Sequence, residues 1–145
     1  MTTTISDPRE GTDVHADDYD RPKYSIGDVA AKSGLSRDTL RWYERIGLMD
    51  YVGRDSSGKR RFSDRDLNWL HLIGCLRATG MSVADMVRYA ELVRAGDQTT
   101  PERLEMFRET RIGVLAQIDE LHRTLAVLDR KIDMYESRAA ALQQV

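Results

Sequence analysis

Cysteine is nearly absent from this 145-residue chain, with Cys75 its only one. A single thiol excludes an intramolecular disulfide and a four-thiolate zinc site, and His15, His71 and His122 are the only other soft ligands in the sequence. No metal or cofactor is expected, in a protein of the reducing cytoplasm. Long apolar runs are missing too. No window approaches roughly 18 consecutive apolar residues, so no transmembrane span is expected and the membrane is not a partner. The first twenty residues are acidic, where a secretory signal would have a basic start followed by an apolar run. What the chain has in plenty is charge: 32% of residues are charged against 41% hydrophobic, a large water-facing surface for the core it can build. An elongated or oligomeric protein fits that ratio better than a compact monomer.

The net charge of −2 hides an asymmetry. Residues 1–23 carry Asp7, Glu10, Asp13, Asp17, Asp18 and Asp20 against Arg9, Arg21 and Lys23, and residues 1–22 are expected to be a disordered acidic tail. Residues 24–62 reverse the sign to +3, and residues 63–145 return to −2. The chain is not basic overall, but the asymmetry leaves room for a basic head on an acidic body.

Helix starts can be read from a repeated pattern, a Ser or Thr followed three residues later by an acid: Ser25/Asp28, Ser63/Asp66, Ser82/Asp85 and Thr99/Glu102. The hydroxyl caps a free amide and the acid complements the positive helix end. Ser36, with Asp38 in the first turn, is a fifth. These starts predict helices near 26–32, 37–46, 64–78, 83–95 and 101–138.

The first two predicted helices are joined by a tight turn at Gly34, a helix-turn-helix pattern. Leu40 faces inward, with Tyr43 and Ile46 near its edge, while Arg37, Arg41 and Arg45 recur every four residues on the opposite stripe. Such a stripe is often only a solvated face; beside a helix-turn-helix it also suits phosphate contact. The stretch Tyr51 to Phe62 reads as a hairpin, with Arg54 on its outgoing side and Lys59, Arg60 and Arg61 opening its return. Alternation puts Lys59 and Arg61 on one face and Arg60 with Phe62 on the other.

The last segment has a heptad seam: Leu104, Phe107, Arg111, Val114, Ile118, Leu121, Leu125, Leu128, Ile132, Tyr135, Ala139 and Leu142, with Arg111 its one polar member. Pro101 suits the first turn and Gly113 is the weak point. A helix over 101–138 would be about 57 Å long. Such a helix needs a partner to bury its seam, and a second copy of the chain is expected to supply it.

Tyr24-Ser25-Ile26-Gly27-Asp28-Val29-Ala30, Gly34-Leu35-Ser36, the run Thr39 to Leu48, and Arg54 with Gly58-Lys59-Arg60-Arg61-Phe62 followed by Asp66-Leu67 resemble the MerR family of bacterial transcription regulators. The resemblance covers residues 24 to about 137. It implies a mainly α fold, a winged helix-turn-helix head followed by a long dimerisation helix in an antiparallel coiled coil. It also implies a palindromic promoter site with an over-long spacer, distorted so that RNA polymerase sees both promoter elements. Carried onto this sequence, it places Arg37, Asp38 and Thr39 at base edges, Arg41 and Tyr43 at the backbone or groove, and Arg60 at phosphates, with Arg54, Lys59 and Arg61 beside it on the wing. Trp42 departs from the commoner tyrosine and loses a hydroxyl. The expected division is a tail 1–22, a head 23–81, a connector 82–100, a dimerisation helix 101–138 and a tail 139–145.

Gly74 to Ser82 and Gly96 to Arg103 are most similar to the NmlR or AdhR branch, which responds to aldehydes and thiol stress. The cysteines of the metal-sensing branches are absent. Cys75 is then either a small structural hydrophobe or, with His71 four residues earlier on the same helix face, an effector-sensing thiol that meets a small electrophile. Two other functions remain beside this one. A regulator of the same fold could repress or organise DNA with no small-molecule signal. An enzyme could use Cys75 and His71 as nucleophile and base, but i, i+4 on a helix offers no oxyanion site and there is no second catalytic constellation, so the chain is expected not to be an enzyme.

Overall fold

The computed structural model describes residues 16–49 and 53–144. The chain runs α1 (Ala16–Tyr19), β1 (Tyr24–Ser25), α2 (Ile26–Ser33), α3 (Arg37–Arg45), β2 (Arg61–Phe62), α4 (Asp64–Ala78), α5 (Val83–Ala95), a 3₁₀ turn (Asp97–Thr99) and α6 (Thr100–Leu142). It is mostly helical, with one two-stranded sheet among the described residues. No described helix is long and apolar enough to cross a membrane.

Four of the five expected starts form as the hydroxyl chemistry requires. Ser25 and Ser63 make reciprocal capping boxes with Asp28 and Asp66. Ser36 and Ser82 accept from the amides of Thr39 and Asp85. Thr99 is the exception. Its side chain turns back and donates to the carbonyls of Leu92 at 2.6 Å and Gly96 at 2.8 Å, closing the end of α5 instead of capping α6. Arg103, only 7% exposed, ties the same corner by donating to the Gly96 carbonyl and to Thr100 Oγ1.

The helix-turn-helix is α2, a turn and α3. Gly34 ends α2 at φ +74°, a left-handed angle that costs a side-chain-bearing residue more, and its N–H returns to the Ala30 carbonyl. Among the described residues Val29, Leu40, Leu48, Phe62, Ile73 and Met86 are the largest wholly buried side chains, and they draw one core from α2, α3, β2, α4, α5 and the loop after α3. Trp69 stacks on Tyr89 at 5.6 Å and donates its indole N–H to the Leu48 carbonyl, fastening α4 to α5 and to the loop after α3.

The wing differs from a plain hairpin over Tyr51 to Phe62. Its return strand β2 pairs antiparallel with β1, Tyr24 opposite Phe62 and Ser25 opposite Arg61, while among the described residues the outgoing side bridges Arg60 at Arg54 and accepts the Arg61 N–H at the Gly53 carbonyl. The reason is Phe62: sinking it into the core draws the return strand against the start of α2. Tyr51 and Val52 lie outside the described residues.

The expected domain limits shift in three places. The tail over 1–22 is ordered where it is described. Tyr19 Oη accepts from Asn68 Nδ2 at 3.0 Å and lies under the Arg65 guanidinium, Asp20 pairs with Arg65, and Asp18 pairs with Lys23. Its acids find cations close by, which composition alone does not reveal. The connector over 82–100 belongs to the first of two compact units, Met1–Arg103, because Met86, Tyr89 and Ala90 are buried. The second unit is Leu104–Val145. Within it α6 continues past the expected end at 138 to Leu142, through Ala139, Ala140 and Ala141, the best helix formers.

Candidate nucleic-acid interface

Helix α3 presents two faces. Leu40 and Tyr43 are buried, and Arg37, Asp38, Arg41, Trp42 and Arg45 are exposed. Tyr43, expected at the groove, is only 4% exposed and lies beside Trp42 with ring centroids 5.6 Å apart, so its first role is to anchor the helix. Its burial follows from position: three residues after Leu40, it shares the inward face. Thr39 is half-buried and its hydroxyl accepts from Ser36 Oγ at 2.8 Å, so it also serves the helix start.

The arginine stripe is not uniform. Arg41 Nη1 lies 3.1 Å from Asp38 Oδ1. Arg37 rests its guanidinium over Gly27, where a Cβ would stand 2.8 Å from Nη2. Arg37 and Arg45 carry no ion pair among the described residues.

Each wing cation has a different neighbour. Arg60 donates from Nε to Glu44 Oε2 at 2.8 Å, and the two side chains are 22% and 15% exposed. This joins the wing to the last turn of α3 and leaves only the terminal nitrogens of Arg60 for a phosphate. Arg61 pairs with Asp55 at 3.0 Å on the opposite face, as strand alternation requires. Arg54 donates to the Gly58 carbonyl at 2.8 Å, and Lys59 is exposed with no ion pair among the described residues. The tip is organised by Asp55, whose carboxylate accepts from the Ser57 hydroxyl and amide and from the Lys59 amide. Those bonds, the Ser57 hydroxyl first and the Lys59 amide next, hold the Asp55 carboxyl well below the usual carboxylate range. Glu44 and Asp55 are the two residues that sequence reading missed. Asp55-Ser56-Ser57-Gly58 is a turn signature that points to the second, whereas nothing local marks the first, sixteen residues from its partner.

Helix α4 carries Cys75 half-buried and His71 exposed, with Sγ 3.9 Å from Nε2. Both line a cavity of about 440 Å³ together with Lys32 and Ser33, in the last turn of α2, and Leu67, Leu70 and Gly74 of α4. On α6, Leu104, Ile118, Leu121, Leu125, Leu128, Ile132 and Tyr135 are exposed, while Phe107 and Val114 are half-buried.

Residues 24–92 match the model of the MerR HTH family regulatory protein, and residues 67–131 match that of MerR, DNA binding. An uncharacterized HTH-type transcriptional regulator of Haemophilus influenzae is 46% identical over 84% of this chain and 90% of its own length. The regulator AdhR of Bacillus subtilis is 37% identical over 60% of this chain and 62% of its own. Among solved structures, HiNmlR, a MerR family regulator lacking the sensor domain and bound to promoter DNA, superposes with a TM-score of 0.75 and 45% identity, covering 81% of this chain and 93% of that one. These relatives are transcription regulators. A paired helix-turn-helix and wing, a long carboxy-terminal helix and these matches make the chain a member of the MerR family of DNA-binding transcription regulators.

Proposed function

We propose that the protein acts in the cytoplasm as a homodimer on a palindromic promoter site, distorts an over-long spacer for RNA polymerase, and is triggered by electrophile or redox modification of Cys75. Arg37, Asp38, Thr39, Arg41 and Trp42 enter the groove from α3. Arg54, Lys59 and Arg61, with the terminal nitrogens of Arg60, hold phosphates from the wing, and Tyr43 contributes by seating α3. The α6 residues Leu104, Phe107, Val114, Ile118, Leu121, Leu125, Leu128, Ile132 and Tyr135 form the seam with the second copy.

The observation that carries the trigger is the 3.9 Å approach of Cys75 to His71 in a cavity that the last turn of α2 also lines. That turn leads through Gly34 straight into α3. When the thiol adds to an aldehyde, sulfur bonds to the carbonyl carbon and the proton passes by way of His71 to the carbonyl oxygen. The adduct then occupies space against Lys32 and Ser33. In vitro transcription with wild type and Cys75→Ser, with and without an aldehyde or a nitrosating agent, tests this. Wild type should respond and Cys75→Ser should not. An equal response from both returns Cys75 to a packing role and puts the signal elsewhere in the protein, and a response from neither leaves a regulator without a small-molecule signal.

A further inference from the structure

An acid on the face of a helix that meets DNA is a physical anomaly. Asp38 is the second residue of α3, and its side chain is 95% exposed. Phosphates would repel it. The helix dipole accounts for an acid in the first turn, but not for its ion pair with an arginine that the same face presents to DNA. Asp38 Oδ1 holds Arg41 Nη1 at 3.1 Å, and Arg41 is 44% exposed. The contact fixes one edge of the guanidinium and leaves other N–H groups free. It also leaves Asp38 Oδ2 without a hydrogen-bond partner among the described residues. Neither neighbouring stripe cation is held in this way: Arg37 lies over Gly27, and Arg45 has no acid partner among the described residues.

In the major groove an open carboxylate is rewarded only by the exocyclic amino groups on the base edges. Cytosine N4 is the donor that Asp and Glu take, and guanine O6 and N7 are the acceptors that arginine takes in bidentate fashion. Three residues of helix rise about 4.5 Å, close to the roughly 3.4 Å between base pairs, so the two side chains reach adjacent pairs. We propose that Asp38 is a specificity-determining residue, which together with the Arg41 it holds reads two consecutive G·C pairs in each half-site, cytosine through Asp38 and guanine through Arg41. Arg45 and Lys59, free of acids among the described residues, are left for the backbone. The inference rests on the DNA face proposed above.

The test is selection from a pool of randomised duplexes by the full-length chain, followed by affinities on the selected and singly altered duplexes. Wild type should select two adjacent G·C pairs per half-site. Asp38→Ala should lose the cytosine preference at one of them by roughly tenfold while keeping the guanine, and should bind unrelated duplexes more tightly. Asp38→Asn should move that position towards adenine, whose N6 and N7 suit an amide, a gain that no loss of helix stability produces. Selection of the same sequence by wild type, Asp38→Ala and Asp38→Asn, each folded by circular dichroism, overturns the proposal. Should Arg45→Ala and Lys59→Ala leave binding to every duplex unchanged, the DNA face itself is wrong and the proposal falls with it.

Discussion

At the scale of single residues, the wing shows that a cation's sequence position does not fix its role. Lys59 and Arg60 are neighbours, yet one is exposed and the other spends its Nε on Glu44. Lys59→Ala should therefore weaken binding to all duplexes alike and flatten the plot of log K against log salt by about one unit, as expected when one phosphate is no longer neutralised. Equilibrium titrations at several salt concentrations measure it. Glu44 gives a sharper test because the two explanations differ in sign. Removing an acid near DNA should tighten binding if only net charge matters, whereas releasing Arg60 from its anchor should loosen it. We expect Glu44→Gln to lower affinity several-fold, with little change in salt slope, since no cation is deleted outright. Tighter binding by Glu44→Gln would show that Arg60 is not positioned through this pair.

At the scale of elements, the wing tip depends on one carboxylate. Asp55 is held ionised below the usual range by the Ser57 hydroxyl, the Lys59 amide and the Arg61 guanidinium. A depressed folded-state value means that its contribution is complete above the ordinary aspartate range, near 3.8, and is lost as pH falls through the folded value. Asp64 titrates in the same direction, through Lys23 first. The wing should thus keep its form from pH 7 to about pH 3 and loosen only on further acidification. Amide resonances of Ser57 and Lys59 followed by NMR should therefore hold their positions from pH 7 to pH 3, and Asp55→Asn should show them loosened already at pH 7. Helix ends are a simpler case: Ser63→Ala removes a buried capping box and should cost about 1 kcal/mol of stability, seen as a lowered Tm. Such local chemistry is why the helices are legible in the sequence. Ser25, Ser36, Ser63 and Ser82 each act on an amide within their own turn. Thr99 is not legible, because the carbonyls it satisfies belong to the end of α5. Nor are the β1–β2 pairing and the docking of Tyr19 and Asp20 on α4, since both join residues some forty positions apart. The approach of Cys75 to His71 is legible as an i, i+4 spacing, but the presence of Lys32 and Ser33 in the same cavity is not.

For the whole molecule, the question is what covers α6. Leu121 is 67% exposed and Leu125 53%, and with Ile118, Leu128 and Ile132 they form an apolar stripe at heptad spacing. Water disfavours such a stripe, and in the homodimer proposed above a second copy in antiparallel register would bury it and supply two heads for two half-sites. The double substitution Leu121→Glu/Leu125→Glu puts charges in the middle of that seam. It should convert a dimer to monomers in sedimentation equilibrium while leaving the head folded, with the Trp69–Tyr89 stack as an internal fluorescence reporter. DNA binding should then fall as two-site avidity disappears, on the order of 10²-fold or more, and binding to one half-site should equal that of the whole palindrome. Ala116→Glu is the matched control, because residue 116 is exposed and off the seam, and glutamate is nearly as good a helix former as alanine. If the double variant stays dimeric, or if Ala116→Glu dissociates as readily, the heptad seam is not the interface and the two heads must be joined by another surface.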